Sequence, residues 1–386
     1  MSGEGRLKSE RSPEMTGEIT SKADVLKNLY GKLKYSRIEK MRIVTGGEFE
    51  RDPYSMAKDI GGEFGAGKIV VRSSSSNEDG MNTSNAGHYE SVLGVDPGNP
   101  EEVMRAIREV LESYKCDLDD VTDEQVLIQT QVESISYSGV IFSRELKKNR
   151  PYYAITYDED STDAVTSGRG GKTVYILRNA HEDSLPEHWH ALIRAMRELE
   201  GVFSDYPIDV EFAVDEKNAV IIFQVRPLAA SIRAEKCSIS DEEIFAAADR
   251  ACQKYREIGD LLGEKNTILS DMAFWNPAEM IGENPHPLDY SLYREIITSS
   301  AWNQGLSYIG YKEVDGDLMY KLGNKPYISL RKSFLGLMPD DVDDRLEKKL
   351  LEYYNRKLIA DPTAHDKIEF EIAFSEYDFA TEDKLR

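Results

Sequence analysis

The sequence predicts an α+β domain followed by a mainly helical domain, and three observations lead to this fold class. Between about residues 21 and 235, short β-rich apolar runs alternate with helical stretches. After Pro227 the pattern changes to longer segments with helical spacing of apolar residues. The chain has 386 residues, of which 40% are hydrophobic, and this is enough for two or three domains with sizeable cores.

Seven segments of the first domain are predicted strands, because each is an apolar, β-branched run bounded by turn-forming residues. They are Lys68–Ser73, Val126–Val132, Ser138–Ser143, Tyr152–Tyr157, Lys172–Leu177, Ile208–Val214 and Ala219–Val225. Two amphipathic helices lie among them. One is predicted to begin at Pro100 with Asn99 as its N-cap, and the other at Pro186.

The second domain is predicted to begin with a long helix. Ser240 and Glu243 have the spacing of a capping box, and Gly263 follows the last apolar residue of the helical pattern. A hairpin is predicted further on, between Leu318–Leu322 and Tyr327–Leu330, with a turn at Gly323, Asn324 and Lys325.

These patterns divide the chain into three parts. Residues 1–20 are rich in Ser, Gly, Glu and Arg and are predicted to be a flexible tail. Residues 21–235 are predicted to be the α+β domain, and residues 236–386 the mainly helical domain.

Charge and composition exclude several functional classes. The formal charge of −22 opposes nucleic-acid binding, since no basic stripe interrupts it. No run reaches the roughly 18 apolar residues that a membrane span needs, and the first residues lack the apolar core of a signal peptide. The three cysteines lie far apart in the sequence, and we expect buried thiols at Cys116, Cys237 and Cys252. Together these features predict a cytoplasmic protein that has no nucleic-acid or membrane partner.

The most informative segment is a hairpin whose strands carry acidic, amide and basic residues. With a four-residue loop at Asp215–Asn218, Asp209 lies opposite Gln224. Alternation then places four polar side chains on one face: Asp209, Glu211, Gln224 and Arg226. Carboxylate and amide oxygens suit Mg²⁺, and an arginine can hold phosphate oxygens. The spacing alone equally fits an amphipathic hairpin with one solvated face.

Three further segments have features of phosphate-binding loops. Arg72 ends an apolar strand and is followed by the hydroxyls of Ser73–Ser76. The segments Met81–Glu90 and Thr166–Lys172 are rich in small residues, which allow backbone N–H groups to approach phosphate. Each segment, taken alone, also fits an ordinary surface loop.

In their order along the chain, the motifs VRSSSSNEDG, SNAGHYES, VLIQTQV, SGVIFSR, TSG and DVEFAVD followed by IIFQVRPL resemble one family. This is the ATP-grasp nucleotide-binding domain of pyruvate phosphate dikinase and phosphoenolpyruvate synthase, and the resemblance covers Ser21–Leu228. The family has a G-G-K-x-x-x-L element near its start, which Thr20–Leu26 matches with the glycines replaced.

The resemblance implies a role for each matching residue. The ATP phosphates would be held by three cations, Lys22, Arg72 and Arg226, with Arg72 and Arg226 as the catalytic pair. Mg²⁺ would be held by Glu211 and Gln224, with Asp209 close to the same cluster. The backbone at Gln129–Val132 would frame the adenine.

The same resemblance implies indirect phosphoryl transfer. In this family a histidine on a separate swivelling domain attacks the β-phosphate of ATP and then carries phosphate to the acceptor. None of the six histidines lies in the glycine-rich motif expected for that residue. We therefore expect the carrier to be absent from this sequence, either because the chain is part of a longer enzyme, which the charged ending favours, or because the carrier is a separate polypeptide.

The second domain is similar to the central domain of synthase-like proteins from surface-polysaccharide pathways. The resemblance lies in the segments Ser270–Gly282, Pro287–Tyr293, Gly323–Phe334 and His365–Glu371. It is greatest to the branch of capsule-pathway glutamine kinases, which implies the side-chain amide of L-glutamine as acceptor. The alternatives are a phosphoenolpyruvate synthase, a pyruvate phosphate dikinase, a rifamycin phosphotransferase, or a non-catalytic ATP-sensing module.

Overall fold

The computed structural model describes most of the chain, with gaps: residues 21–75, 89–158, 171–204, 206–228, 239–262, 267–271, 276–361, 364, 368 and 371. The chain divides into two compact units, Met1–Asp241 and Glu242–Arg386. Both contain helices and strands, so the α+β class is confirmed. The predicted tail and the predicted boundary near residue 235 lie outside the described residues and stay predictions.

Unit 1 contains five α-helices, ten strands and one short 3₁₀ helix among its described residues. In chain order these are α1 (Lys22–Leu29), β1 (Ser36–Arg37), β2 (Met41–Thr45), α2 (Gly46–Arg51), α3 (Pro53–Phe64), β3 (Ile69–Ser74), β4 (Ser91–Val95), α4 (Pro100–Tyr114), β5 (Gln125–Thr130), β6 (Ile135–Phe142), β7 (Tyr152–Asp158), β8 (Lys172–Leu177), the 3₁₀ helix (Glu182–Ser184), α5 (Glu187–Val202), β9 (Ile208–Asp215) and β10 (Val220–Pro227).

The strands of unit 1 form two sheets. The four-stranded sheet is antiparallel, with the order β2-β5-β3-β4. The six-stranded sheet has the order β1-β10-β9-β6-β7-β8 and is antiparallel except for the parallel pair of β1 and β10. Helix α4 packs on the four-stranded sheet through buried residues such as Ile107 and Tyr114. Helix α5 contributes Trp189 and Leu192 to the core that includes strand β9.

The predicted elements of unit 1 are confirmed as strands and helices, with small shifts of their ends. The Asn99 side chain accepts a hydrogen bond from the Glu102 N–H, and Pro100 occupies the first turn of α4, as predicted. Helix α5 begins at Glu187, with Pro186 as its N-cap. Strands β1, β2 and β4 were not predicted, and they lie at sheet edges and contain five residues or fewer.

The register of the β9–β10 hairpin differs from the prediction. Val214 pairs with Val220, so the connection is one residue longer than expected. The register shifts again between Ile222 and Gln224, which leaves Phe223 as an extra residue in a β-bulge. The predicted pairing of Asp209 with Gln224 is therefore wrong.

Unit 2 contains six α-helices, one π-helical turn and three strands among its described residues. These are α6 (Asp241–Leu262), β11 (Leu269–Ser270), α7 (Pro277–Ile281), α8 (Pro287–Tyr293), the π-helical turn (Arg294–Thr298), α9 (Ala301–Ser307), β12 (Met319–Leu322), β13 (Lys325–Ser329), α10 (Leu330–Leu335) and α11 (Asp344–Ala360). The mainly helical character predicted for this part is confirmed.

The predicted hairpin of unit 2 is present, with β11 added as a third strand in the order β11-β13-β12. Its turn contains two residues rather than three, because Leu322 pairs with Lys325. Gly323 adopts a φ of 59°, a conformation that glycine accommodates without the strain of a Cβ atom.

Two expectations about the whole chain can be compared with the described residues. Cys116 and Cys252 are exposed, so the expectation of buried thiols is wrong for both, and Cys237 lies outside the described residues. In the part of the chain that the structure describes, no helix combines the length and hydrophobicity that a membrane crossing requires.

Candidate functional site

Arg72 links the two sheets of unit 1. On β3 its neighbour Val71 packs into the core beneath α4, so alternation turns Arg72 to the opposite face. The Arg72 guanidinium donates from Nη2 to Glu211 Oε2 at 3.1 Å and from Nη1 to the Phe223 carbonyl at 3.2 Å. A cation from the four-stranded sheet is therefore bound to the β9–β10 hairpin of the six-stranded sheet.

Glu211 lies directly opposite Gln224 in the hairpin. Burial raises the pKa of the Glu211 carboxyl, but the charges of Lys22, Arg72 and Arg226 outweigh burial and hold this pKa below its ordinary value. Glu211 is therefore ionised at neutral pH. The three cations outnumber the two carboxylates of the hairpin, Glu211 and Asp209, and this local excess of positive charge suits a polyanion.

Asp209 and Arg226 form the second ion pair of the hairpin and lie directly opposite each other. Arg226 donates from Nη2 to Asp209 Oδ2 at 2.6 Å and from Nε to both carboxylate oxygens at 3.2 Å. Burial raises the pKa of the Asp209 carboxyl, because its desolvation exceeds the opposing effect of Arg226. Asp209 therefore orients Arg226, and it depends on Arg226 to remain charged.

Lys22 is the first residue of α1, and two contacts of its neighbours fix the start of this helix. Ser21 caps the helix, and its hydroxyl donates to Gln125 Oε1 on β5 at 2.8 Å. The Ala23 N–H donates to Ser74 Oγ on β3 at 2.9 Å. Helix α1 is thus attached to two strands of the four-stranded sheet, although the family's glycines are replaced. Lys22 itself is buried and its charge acts on Glu211.

Gln129 on β5 carries a buried side-chain amide. Its side chain is 2% exposed, and neither Oε1 nor Nε2 has a hydrogen-bond partner among the described residues. Ile128 packs beneath α4, so alternation places Gln129 on the other face, which also carries Arg72. A buried amide of this kind lowers stability unless a ligand or water satisfies it.

The structure therefore brings most of the predicted site residues together. The contact that does so, between Arg72 and the β9–β10 hairpin, was not predicted. Lys22, Arg72, Glu211 and Arg226 interact, and Gln224 and Asp209 share their face of the hairpin. Gln125 and Phe223 were not predicted to contribute, and Ser74, predicted as part of a phosphate-binding segment, accepts a hydrogen bond from the start of α1. Most of the predicted phosphate-binding segments, namely residues 76–88 and 166–170, lie outside the described residues.

The residues at the hairpin fit Mg²⁺ only as an ion shared with a ligand. Across the described ranges, no group of three or more His, Cys, Asp or Glu residues is arranged to hold a metal ion. The hairpin offers the ionised Glu211 and the amide oxygen of Gln224, both hard oxygen donors, while Asp209 is bound to Arg226. Mg²⁺ typically completes such a coordination shell with phosphate oxygens and water.

One segment of the chain matches a family model of nucleotide-binding domains. Residues 48–164 match the family model described as pyruvate phosphate dikinase, AMP/ATP-binding domain. The matched segment covers less than half of the chain and includes Arg72 and Gln129, but not Lys22 or the β9–β10 hairpin. No curated protein matches the chain.

Several solved structures are similar to this chain at low identity. D-alanyl-alanine synthetase A from Vibrio cholerae is 15% identical, with a TM-score of 0.32, and the match covers 54% of each chain. D-alanine–D-alanine ligase from Helicobacter pylori is 14% identical, with a TM-score of 0.34 and 55% of each chain covered. The dinucleotide-forming acetyl-coenzyme A synthetase 1 of Ca. Korarchaeum cryptofilum is 15% identical, with a TM-score of 0.35, and the match covers 54% of this chain and 92% of that one. The chain spans about half the length of the first two.

Proposed function

We propose that this chain binds ATP together with Mg²⁺ at the β9–β10 hairpin and serves as an ATP-dependent phosphotransferase of the phosphoenolpyruvate synthase type. The observation that carries the proposal is the cluster of Lys22, Arg72 and Arg226 around the ionised Glu211. The family match at residues 48–164 supports a nucleotide as the polyanion.

The residues of the cluster would exchange partners when ATP binds. Arg72 is paired with Glu211 and Arg226 with Asp209, so each arginine already binds a carboxylate at the group that a phosphate would take. Lys22, Arg72 and Arg226 would neutralise and orient the phosphates, because phosphoryl transfer depends on charge neutralisation and in-line positioning. Glu211 and Gln224 would hold Mg²⁺, which supplies positive charge next to the reacting phosphate.

Phosphate would leave this site through a carrier histidine outside the chain. The histidine nitrogen would attack the β-phosphorus, the bond between this phosphorus and the oxygen bridging the α- and β-phosphates would break, and AMP would leave with that oxygen, so that the histidine carries a pyrophosphoryl group. The terminal phosphate of this group would be lost to water, and the phosphoryl group that remains on the histidine would go to the acceptor. We propose the side-chain amide of L-glutamine as the final acceptor, on the resemblance of the second domain. Phosphoenolpyruvate synthase, pyruvate phosphate dikinase and rifamycin phosphotransferase are the alternatives with the same first step. A non-catalytic ATP-sensing module would need ATP binding but no transfer.

Calorimetry with ATP, with and without Mg²⁺, tests the first step, and ³¹P NMR of the same sample with L-glutamine tests the transfer. We expect Mg²⁺-dependent ATP binding, and AMP formation only after a phosphohistidine domain is supplied in trans. Absence of ATP binding would refute the proposal. Binding without AMP formation in the presence of the histidine domain would favour the ATP-sensing module.

Replacing Gln129 by leucine provides a separate test of the nucleobase position. We expect Gln129→Leu to raise the free energy of unfolding of the nucleotide-free chain by about 1 kcal/mol, because it removes two unsatisfied buried polar atoms at similar volume. The stabilisation of the chain by ATP should fall, because an amide can pair with the amino group and a ring nitrogen of adenine, as it does with adenine in DNA.

Urea unfolding with and without ATP measures both effects, with the neighbouring core variant Leu127→Ile as control. A Gln129→Leu chain that is less stable without nucleotide and equally stabilised by ATP would show that Gln129 is a structural amide.

A further inference from the structure

The β-bulge at Phe223 determines which face of β10 carries its polar residues. Towards the connection between the strands, Phe212 pairs with Ile222, and this register alone would place Glu211 opposite Phe223. The extra residue shifts the register by one, so that Glu211 lies opposite Gln224 and both side chains are on the same face. Without the bulge, alternation would turn Gln224 and Arg226 away from Glu211.

Phe223 also contacts Arg72 in two ways. Its carbonyl accepts a hydrogen bond from Arg72 Nη1 at 3.2 Å, and the Arg72 Cζ atom lies 5.7 Å from the centre of its ring. A guanidinium at this distance from an aromatic face is attracted by the ring. The second nitrogen, Nη2, is bound to Glu211. Arg72 is therefore held by one charged partner and by one neutral partner.

These two partners would behave differently when a nucleotide arrives. Glu211 would be drawn to Mg²⁺, and Arg72 would lose its ion pair. Phe223 is neutral, so it competes neither for the metal nor for the phosphates, and its contacts with Arg72 can persist. A guanidinium that keeps one anchor loses less conformational freedom when it binds phosphate.

We propose that Phe223 is a positioning residue for Arg72, which it holds over the phosphate position while Glu211 changes partner. The inference rests on the proposed function, because it assigns Arg72 to the phosphates of ATP. It predicts that the ring of Phe223 contributes to the binding of the outer phosphates and not to the binding of adenosine or AMP.

A double-mutant cycle between Phe223 and Arg72 tests this inference. We expect Phe223→Ala to weaken Mg²⁺-ATP binding by about fivefold, the size of one partly buried cation–π contact, and to leave AMP binding unchanged. In the Arg72→Ala background the same substitution should have no further effect on ATP binding. Phe223→Tyr keeps the ring and should bind ATP like the wild type. Calorimetry with ATP and with AMP provides all these affinities.

The matched control is Phe212→Leu, because Phe212 is an aromatic residue of the same hairpin that is buried in the core on the opposite face. It should lower stability without changing the ratio of ATP to AMP affinity. Equal loss of ATP and AMP affinity in Phe223→Ala, or an undiminished effect in the Arg72→Ala background, would overturn the inference while ATP binding by the wild type stands. A wild-type chain that binds neither nucleotide would overturn the proposed function and this inference together.

Discussion

Replacing Glu211 by glutamine is expected to abolish the Mg²⁺-dependent part of ATP binding and to lower the affinity for Mg²⁺-ATP by about 100-fold, equivalent to the loss of one strong contact to a charged group. The carboxylate is ionised and lies opposite Gln224, and the proposed function assigns it to Mg²⁺. Calorimetry with ATP in the presence of Mg²⁺, and in the presence of a chelator, measures the two parts separately.

The metal-free affinity distinguishes a metal ligand from a structural residue. Glu211→Gln removes a negative charge from a cluster of three cations, so ATP without Mg²⁺ should bind the variant as tightly as the wild type, or more tightly. Glu216→Gln, in the exposed turn of the same hairpin, is the control and should change neither affinity. Unchanged Mg²⁺-ATP affinity in Glu211→Gln would refute the assignment of this carboxylate to the metal.

The polar face of the hairpin was predicted correctly from an incorrect register. The connection between β9 and β10 is one residue longer than the sequence analysis assumed, and the bulge at Phe223 adds a second residue. One shift of a single residue would move the side chains of β10 to the other face of the hairpin, and the second shift moves them back. Glu211 and Gln224 therefore share a face as expected. The alternation of polar and apolar residues can be read within each strand separately, so this prediction did not depend on the exact pairing of β9 with β10.

The bulge itself could not be predicted, because its stabilising contacts are distant in sequence. The Phe223 carbonyl binds Arg72, which belongs to the other sheet of the unit and lies 151 positions earlier in the chain. The attachment of α1 has the same origin, since Ser21 meets Gln125 on a strand that lies 104 positions later. By contrast, the Asn99 cap of α4 uses a residue three positions away and was predicted in full.

Three edge strands, β1, β2 and β4, and the helices α1, α2 and α3 were also not predicted. Strand β4 contains Gly94 at a φ of 72°, and a glycine weakens a strand pattern in the sequence. Strand β1 contains two residues, too few for any alternation to be read. Neither strand carries a predicted site residue, so the candidate site could be inferred without them.

Replacing Arg226 by alanine is expected to lower the free energy of unfolding by about 3–5 kcal/mol at pH 8, because Asp209 would remain buried without its cation. The loss should be smaller at pH 5. The pKa of Asp209 is already raised by burial in the wild type, and removal of Arg226 raises it further. When the folded-state pKa of a carboxyl exceeds its unfolded value near 3.9, the folded chain binds more protons, and stability falls as pH rises between the two pKa values.

Urea unfolding at pH 5 and pH 8 measures this difference. The control is Arg37→Ala, which removes an exposed ion pair to Asp215 at the other end of β9 and should cost less than about 1 kcal/mol. If Arg226→Ala lowers the free energy of unfolding equally at both pH values, the loss does not come from a buried Asp209 carboxylate left without its cation.

The double variant Asp209→Leu with Arg226→Met separates stability from binding. Apolar residues of similar volume often replace a buried ion pair without loss of stability. The midpoint of urea unfolding of this variant should therefore equal or exceed that of the wild type. It should nevertheless bind Mg²⁺-ATP at least tenfold more weakly, because Arg226 is no longer available for a phosphate group. A stable double variant with wild-type ATP affinity would remove Arg226 from the site and would mark the Asp209–Arg226 pair as purely structural.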